Sequence, residues 1–463
     1  MSLRVEAPPT PPSFSAARLG SAEFRRDHGV RLAYVSGSMY KGIASPQMVI
    51  RMARAGLLGF LGAGGLRHDR LVAAIQEIQT ALPDGQSYGL NLLAQPDEPE
   101  RERELVELYM AHGVPRIEAS AFTQLSPALV HYRAKGFYRA PDGTIKNRHW
   151  VLAKVSRPEV AAHFLAPAPD KLLAELRHCG KITADEAAWA RRFPLADDLC
   201  IEADSGGHTD QGISLVLFPT MIRLRDQLAA QHGYAKKVRL GAAGGLGTPE
   251  ALAAVFLLGA DFVLTGSVNQ CTVEADTSEP VKDMLAQAGV QDTTMAPAGD
   301  MFEVGARVQV LSKGVFFPAR SQKLYDLYRH YNAWEEIEAK TREQIEKRYF
   351  KRSFAAVWAE TEAYYATRNP ARLARAQRHP KAKMALVFRW YFVKSTRAAQ
   401  AGSVEDKVDF QIQCGPAMGA FNRWVQGTAL EPWRARHVDG IADALMAATA
   451  DYLQARFTQL LPG

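Results

Sequence analysis

Two glycine-rich turns, each preceded by a short apolar run, constrain the fold of this chain more than any other feature. The first lies in RLGAAGGLGTPE over Arg239–Glu250, where the turn opens a predicted helix over Thr248–Leu258. The second lies in DFVLTGS over Asp261–Ser267. Glycine lets an anion approach the backbone closely, and N–H groups at the start of a helix attract it. Because the loops after strands seven and eight of a (β/α)8 barrel bind phosphate in this way, the turns predict a phosphate-bearing ligand.

Apolar strand-like runs alternate with amphipathic helical stretches from Arg31 onward, which indicates βα units and a parallel sheet. Helices are predicted over Ser45–Ala55, His68–Ala81 and Pro99–His112. Eight runs are predicted as strands: Leu32–Val35, Leu57–Leu61, Tyr88–Leu92, Arg116–Ala119, Trp150–Val155, Leu199–Ala203, Val238–Gly241 and Phe262–Thr265. Eight strands suit an α/β (β/α)8 TIM barrel better than an open sheet.

The chain has 463 residues, so a barrel of roughly 250 residues leaves room for insertions or a further module. Long connections over Thr123–His149 and Pro167–Asp198 predict insertions that act as lids on the active-site face. The second connection contains a predicted helix over Thr183–Arg192, begun by a Thr183/Glu186 capping box. The predicted domains are a flexible lead-in at 1–30, a barrel at 31–270 and a mainly helical region packed on the barrel at 271–463.

Composition excludes several classes of protein. Hydrophobic residues make up 47% and charged residues 23%, as in soluble globular proteins. No apolar run reaches the roughly 18 residues that a membrane helix needs, and the N-terminal stretch lacks the apolar core of a signal peptide. We therefore expect a cytoplasmic protein without a membrane partner. The four cysteines form no C-x-x-C pair, which argues against a zinc site or a disulfide framework.

Positive charge is concentrated between Thr341 and Gln400, where 14 Lys/Arg stand against 4 Asp/Glu, whereas the net charge of the whole chain is +7. The stretch falls within two regions predicted to be helical, Tyr325–Arg368 and Arg372–Ala401. It is either a solvated helical face or a docking surface for an acidic partner. No recognised nucleic-acid-binding signature accompanies the charge, so nucleic acid is not predicted as a partner.

The segment IEADSGGHTD over Ile201–Asp210 ends the sixth predicted strand, where the catalytic residues of barrels lie. Gly206 and Gly207 would let a flat ligand approach, and His208 can titrate or donate a proton near neutral pH. The alternative is a loop histidine whose hydrogen bonds are satisfied by its neighbours. The acidic residues around His208 also suggest a metal, but a second histidine at ligand spacing is missing, so no metal is predicted.

Two other chemistries lack their motifs. Gly62–Arg67 and Gly245–Glu250 each miss the third glycine of the dinucleotide-binding fingerprint. The G-x-S-x-G turn of serine hydrolases is also missing from the sequence.

The block YVSGSMYKGIASPQMVIRMARAGLLGFLGAGGL, the segment EADSGGH and the stretch AAGGLGTPEALAAVFLLGADFVLTGS together resemble the nitronate monooxygenase and FMN-dependent enoyl reductase superfamily. The segments GKITADEAAWARRFPLADDLCIEADSGGHTD and MFEVGARVQVLSKGVFFPARSQKLYDLY are typical of the trans-acting enoyl reductases of polyketide and polyunsaturated fatty-acid synthases. The resemblance implies that NADPH or NADH reduces FMN, which then reduces the double bond of an enoyl thioester. The thioester would arrive on an acyl carrier protein, an acidic partner suited to the basic stretch.

The resemblance also implies roles for individual residues. His208 would lie beside the substrate and supply a proton, with Gly206 and Gly207 passing close to the flavin. A cation at Lys154 would stabilise the reduced flavin. The isoalloxazine and ribityl groups would be held by the backbone of Gly37, Ser38 and Met39, with Asn91 and Lys154. The FMN phosphate would lie on Ala243, Gly244, Gly245, Gly266 and Ser267.

Two other functions stay open at this point. A nitronate monooxygenase would use the same flavin barrel and histidine, with oxygen as acceptor. A non-catalytic scaffold of a synthase would use the basic helices alone. The sequence does not choose between NADPH and NADH, and a homodimer is one open oligomeric state.

Overall fold

A computed structural model of the chain describes residues 13–460, which form two compact units. The first unit comprises the described residues up to Asp204, Asp210–Asp276 and the residues from Trp424 onward. The second comprises Ser205–Thr209 and Thr277–Arg423. The units are thus interleaved along the chain, whereas the predicted division at residues 270 and 271 gave two contiguous segments. Within residues 13–460, no helix is both long enough and apolar enough to cross a membrane.

The first unit is built on a closed barrel of eight parallel strands, which confirms the predicted fold class. Neighbours in the barrel are neighbours in the chain, as βα units require. The strands begin and end within two residues of the predicted ones: β1 (Tyr34–Ser36), β2 (Leu58–Leu61), β3 (Gly89–Leu93), β4 (Arg116–Ser120), β5 (Trp150–Val155), β6 (Asp198–Glu202), β7 (Arg239–Ala243) and β8 (Phe262–Thr265).

Helices surround these strands, and several begin at the predicted caps. Ser45 accepts a hydrogen bond from the Met48 N–H, and Thr183 and Glu186 form the predicted capping box. The helices of the first unit are Ala22–His28, Pro46–Arg54, His68–Ala81, Pro99–Ala111, Pro127–Lys135, Pro158–Leu165, Asp170–His178, Ala184–Ala190, Ser214–His232, Pro249–Leu257 and Val438–Leu460. Short 3-10 helices lie at Ala16–Arg18, Tyr40–Gly42, Ser267–Cys271 and Trp433–Ala435.

The first long connection, Thr123–His149, is not a lid. It contains the barrel helix Pro127–Lys135 and then a hairpin of Phe137–Arg139 with Ile145–Asn147, which leads directly into β5. Because the hairpin follows the helix and precedes the next strand, it lies at the amino ends of the barrel strands. The active sites of such barrels lie at the opposite end.

The second long connection, Pro167–Asp198, has the same placement. Its helices Asp170–His178 and Ala184–Ala190 come after the barrel helix Pro158–Leu165 and before β6. The prediction that both insertions cover the active-site face is therefore wrong. The first connection contains its barrel helix and the second follows its barrel helix, so neither set of inserted elements comes directly after a strand.

A buried charge network closes the amino end of the barrel. His28 lies at the end of the helix Ala22–His28, and its Nε2 is 2.7 Å from Asp198 Oδ2. Arg116 Nε donates to His28 Nδ1 at 3.0 Å, so the imidazole is neutral and carries its proton on Nε2. Burial lowers the pKa of His28. Burial alone would raise the pKa of Asp198, but Arg239 and His28 hold it well below its ordinary value.

The second unit is mainly helical, as predicted, but it also contains a small sheet. Thr293–Pro297 pairs antiparallel with Arg307–Leu311, which pairs antiparallel with Gly207–His208. A core rich in aromatic side chains includes Phe302, Phe317 and Phe388. The helices of this unit are Glu279–Ala286, Phe317–His330, Ala339–Ile345, Phe354–Arg368, Pro370–Arg378 and Pro380–Ala401, followed by Ala417–Trp424 at the boundary where the first unit resumes.

The region predicted to be helical over Tyr325–Arg368 consists of several helices. Phe317–His330 ends before a 3-10 turn at Trp334–Glu336, and a π-helical turn at Glu346–Phe350 stops at Lys351. Lys351 has a φ of 56°, a left-handed conformation that a continuing α-helix does not contain. The next helix then begins at Phe354, with the Ser353 side chain accepting from the Ala356 N–H.

Candidate functional site

Three of the predicted site segments follow strands that are neighbours in the barrel. Ser36 of β1 pairs with Thr265 of β8, and Leu264 of β8 pairs with Ala243 of β7. Because the strands are parallel, the residues that follow them emerge at one end of the barrel. The structure therefore brings together, at the carboxyl ends of these strands, the predicted site residues Gly37, Ser38, Met39, Ala243, Gly244, Gly245, Gly266 and Ser267.

The glycine turns after β7 and β8 leave open space above the backbone. A Cβ atom at Gly245 or at Gly266 would meet no heavy atom within 4 Å. Gly244 is different, because its φ is +86° and a Cβ would lie 2.6 Å from the Ala203 carbonyl oxygen. Only glycine fits at Gly244, and the open space at Gly245 and Gly266 suits an anion that approaches the backbone.

A fully buried carboxylate lies inside the barrel at this end, and it was not among the predicted site residues. Glu118 of β4 accepts hydrogen bonds from Ser38, at 3.0 Å from the backbone N and at 2.6 Å from Oγ. The same carboxylate lies 3.9 Å from Nζ of Lys154 on β5. The sequence did carry a signal, since Glu118 is an acidic residue within an otherwise strand-like run.

Lys154 lies between two carboxylates. Its Nζ is 3.1 Å from Oε1 of Glu202, at the end of β6, and 3.9 Å from Oε1 of Glu118. Burial lowers the pKa of Lys154, but Glu202 and Glu118 outweigh it and raise the pKa above its ordinary value. Lys154 is therefore an ammonium at neutral pH, in a cluster that contains one positive and two negative side chains.

Asn91 of β3 is a further polar side chain at this end of the barrel. Its Nδ2 donates to the Glu118 carbonyl oxygen and to Ser120 Oγ, both at 3.0 Å. These bonds orient the amide so that Oδ1 faces Gly64. A Cβ atom added at Gly64 would lie 3.2 Å from Asn91 Oδ1. The side chain is 7% exposed, so its orientation is fixed by the protein.

His208 belongs to the second unit, where it is held by a short strand. It pairs with Val308 in the antiparallel sheet, and its Nε2 lies 3.0 Å from Oδ2 of Asp300. Burial alone would raise the pKa of Asp300, but the hydrogen bond with His208 lowers it below the ordinary value. The His208 side chain is 46% exposed and so is accessible to a substrate. Asp300 was not predicted, because it lies far from His208 in sequence.

The structure gives Gly206 and Gly207 a packing role. A Cβ at Gly206 would lie 2.8 Å from the backbone of Cys414 and Gly415, and Gly207 has a φ of +85°. A Cβ at Gly207 would also lie 2.9 Å from Oε1 of Gln413. These glycines thus allow the backbone of Cys414 and Gly415 and the side chain of Gln413 to approach, and their predicted contact with a flavin stays a prediction.

The acidic residues next to His208 have other partners. Asp210 forms an ion pair with Arg157 at 2.6 Å and accepts a hydrogen bond from Ser156 Oγ at 2.5 Å. Among residues 13–460, no cluster of three or more His, Cys, Asp or Glu side chains is arranged to hold a metal ion.

Two family models match the chain. The model described as nitronate monooxygenase matches residues 31–312. The model described as [acyl-carrier-protein] S-malonyltransferase, inserted helical domain, matches residues 331–410, which include the basic stretch.

Two relatives are components of biosynthetic systems. Polyketide biosynthesis protein PksE of Bacillus subtilis is 51% identical over 446 residues, which cover 96% of this chain and 58% of PksE. One component of the polyunsaturated fatty acid synthase of Thraustochytrium sp. is 44% identical over 418 residues, which cover 89% of this chain and 28% of that component. The chain therefore spans less than two thirds of the length of either relative.

A solved structure is similar over its whole length. The enoyl reductase domain of MlnA, from the macrolactin biosynthesis cluster of Bacillus amyloliquefaciens, matches with a TM-score of 0.92 and 44% identity. The match covers 96% of this chain and 100% of that domain.

Proposed function

This chain belongs to the nitronate monooxygenase family, and from that premise we propose that it is a trans-acting enoyl reductase of polyketide or polyunsaturated fatty-acid synthesis. The observation that carries the proposal is the full-length match to the MlnA enoyl reductase domain, at a TM-score of 0.92. Membership of the family supports a flavin cofactor. The proposal goes further in naming FMN as the flavin and NADPH or NADH as the hydride donor.

The residues at the carboxyl ends of the strands fit FMN. The open turns at Gly245 and Gly266 would take the phosphate, together with Ala243, Gly244 and Ser267. The backbone of Gly37, Ser38 and Met39, with Asn91, would hold the ring system and ribityl chain. When bound, FMN supplies hydride transfer between a nicotinamide and the substrate. Lys154, whose ammonium group lies between Glu118 and Glu202, would donate a hydrogen bond to the ring.

His208 is the proposed proton donor. Reduction of an α,β double bond adds a hydride at the β-carbon and a proton at the α-carbon of the thioester. An exposed imidazole can supply that proton, and the hydrogen bond between Nε2 and Asp300 fixes the orientation of the ring. Gly206 and Gly207 are proposed to line the flavin beside His208.

An acyl carrier protein is the proposed partner, and the basic helices are its proposed docking surface. Residues 331–410 match a helical domain inserted in an [acyl-carrier-protein] S-malonyltransferase. Arg372 and Arg389 are not available for docking, because both bind Glu303, at 3.1 Å and 3.2 Å. Within the described part of the chain, the exposed Arg348, Arg368, Arg375 and Arg378 form no ion pair. A homodimer and a cytoplasmic location stay predictions.

The decisive experiment records the absorption spectrum of the purified protein before and after NADPH under anaerobic conditions, and then after an enoyl thioester. Flavin bleaching by NADPH and reoxidation by the thioester support the proposal. A colourless protein would instead support the alternative that the chain is a non-catalytic scaffold of a synthase.

A nitronate monooxygenase is the second candidate, because the family model described by that name matches residues 31–312. If the protein has this function, it consumes oxygen when a nitronate is supplied, and an enoyl thioester does not reoxidise the flavin.

A further inference from the structure

Three large apolar side chains are exposed together at the start of the helix Ser214–His232. Ile213, Leu215 and Val216 are 67%, 65% and 66% exposed. The other large apolar side chains that are exposed in the described part of the first unit are isolated along the chain, as Leu257 is. A group of exposed apolar side chains in a soluble protein marks a binding surface, because water contact with it is unfavourable.

This apolar turn lies at the same end of the barrel as Lys154. The helix follows β6, so its first turn lies at the carboxyl ends of the strands. Two contacts fix the turn there. The Asp204 N–H donates to the Gly212 carbonyl oxygen at 2.9 Å, and Asp210 binds Arg157, just after β5, at 2.6 Å. The loop that leads into the exposed turn is therefore fixed at the carboxyl ends of the strands, the end that carries the candidate site.

We propose that Ile213, Leu215 and Val216 bind the acyl chain of the enoyl thioester and set the chain-length preference of the enzyme. The inference rests on the proposed function. The acyl chain is the apolar part of that substrate, and its thioester end must reach the strand ends that carry Lys154. A carrier protein is a poor occupant for this apolar surface. A carrier protein is acidic, and the complementary positive charge lies on the basic helices of the second unit.

The experiment compares kcat/KM along a series of trans-2-enoyl pantetheine thioesters, from crotonyl to decenoyl. A buried methylene contributes about 0.8 kcal/mol, or about fourfold in binding. In the wild type, kcat/KM therefore rises by up to about fourfold per methylene. In the double variant Leu215→Ser/Val216→Ser the rise is flatter, with about tenfold lower kcat/KM for decenoyl and little change for crotonyl.

A matched control is Leu257→Ser. Leu257 is 62% exposed and ends the helix Pro249–Leu257, so it lies at the opposite end of the barrel. This variant should keep the wild-type dependence on chain length. Thermal unfolding of all three proteins shows whether each is folded.

Two results overturn the inference. The first is a dependence on chain length that is the same in the double variant as in the wild type. The second is a double variant that differs from the wild type in molecular mass by light scattering but has the same dependence on chain length. That result would make the surface an interface between copies of this chain. If the wild type reduces no enoyl thioester, the proposed function has failed. Calorimetric binding of saturated acyl thioesters to the same proteins then still decides whether the surface binds acyl chains.

Discussion

Both carboxylate oxygens of Glu118 accept hydrogen bonds from Ser38, Oε2 from the backbone N at 3.0 Å and Oε1 from Oγ at 2.6 Å. Ser38 follows β1 and Glu118 lies in β4, and these strands are not neighbours in the barrel. The pair therefore joins two sides of the barrel at the end where the cofactor is proposed to bind. Hydrogen bonds to a buried carboxylate are among the stronger ones in proteins.

We predict that Glu118→Gln weakens the hydrogen bonds that hold Ser38 after β1 and lowers the affinity for the cofactor. Glutamine lacks the negative charge of glutamate. Its NH2 group is a donor and cannot accept a hydrogen bond from the backbone N–H or the hydroxyl of Ser38. Hydrogen bonds to charged groups contribute about 1.5–3 kcal/mol, so a lower unfolding temperature and a lower flavin content after desalting are expected. Ser38→Ala, which removes the bond to Oγ only, should have a smaller effect. A Glu118→Gln protein with wild-type flavin content and unfolding temperature would contradict a positioning role.

Gly266→Val is predicted to give a folded, colourless protein. A side chain at Gly266 enters open space, whereas one at Gly244 would strike the Ala203 carbonyl and endanger folding. A ligand present at 100 times its Kd stabilises a protein by about 2.7 kcal/mol, so added FMN should raise the unfolding temperature of the wild type but not of the variant. Gly440→Val is the matched control, since a Cβ at Gly440 also meets nothing within 4 Å. Stoichiometric FMN in Gly266→Val would mean that the phosphate binds elsewhere.

His208→Ala should slow enoyl reduction by about 10²–10⁴-fold, the range typical of a positioned acid. Reduction of the flavin by NADPH needs no proton at the α-carbon, so its rate and the flavin content should change much less. Stopped-flow absorbance separates the two half-reactions. His330→Ala, also in the second unit, is the control. Wild-type enoyl reduction in His208→Ala would assign the proton to another group.

Reversing the charge of Arg375 and Arg378 to glutamate should raise KM for a carrier-bound enoyl substrate several-fold and leave a pantetheine thioester unaffected. Attraction between exposed charges is screened over roughly 8 Å at physiological ionic strength, so added salt should also raise the wild-type KM. Arg101→Glu/Arg103→Glu on the barrel helix Pro99–Ala111 is the control. Equal effects on the two substrates would exclude docking at the basic helices.

The buried histidines predict how stability depends on pH. Burial lowers the pKa of His28, His131 and His149 in the folded protein. In the unfolded chain these groups bind protons below about pH 6.5, so the free energy of unfolding falls as pH falls through that value. The slope is at most about 1.4 kcal/mol per pH unit for each histidine. Unfolding temperatures from about pH 7.5 to about pH 5 should show a flatter dependence for His149→Phe, and an unchanged slope would contradict this.

The barrel could be predicted from sequence because its signals are local. Each strand is an apolar run. Helix caps such as Ser45 and Thr183 accept hydrogen bonds from backbone N–H groups only three residues further along the chain. The glycine turns after β7 and β8 also carry their chemistry within a few residues. The resemblance to a known family then supplied roles for Asn91 and Lys154 that spacing alone does not give.

The features that were missed depend on contacts between distant residues. The strand Gly207–His208 has two residues, too few for a periodic pattern, and pairs with Arg307–Leu311. The partners of the site residues are equally distant, as with Glu118 and Ser38 or Asp300 and His208. The close approach of Cys414 and Gly415 to Gly206 has no trace in the local sequence.

The last helix of the barrel unit comes late in the chain. Val438–Leu460 packs against Pro249–Leu257, and Thr449 Oγ1 lies 3.4 Å from the Pro249 carbonyl oxygen. During synthesis on the ribosome, β1 to β8 emerge long before this helix does. The outer layer of the barrel stays incomplete until the residues of the second unit have been made. During that interval the nascent barrel therefore exposes to water the apolar strip that the buried side chains of Val438–Leu460 later cover.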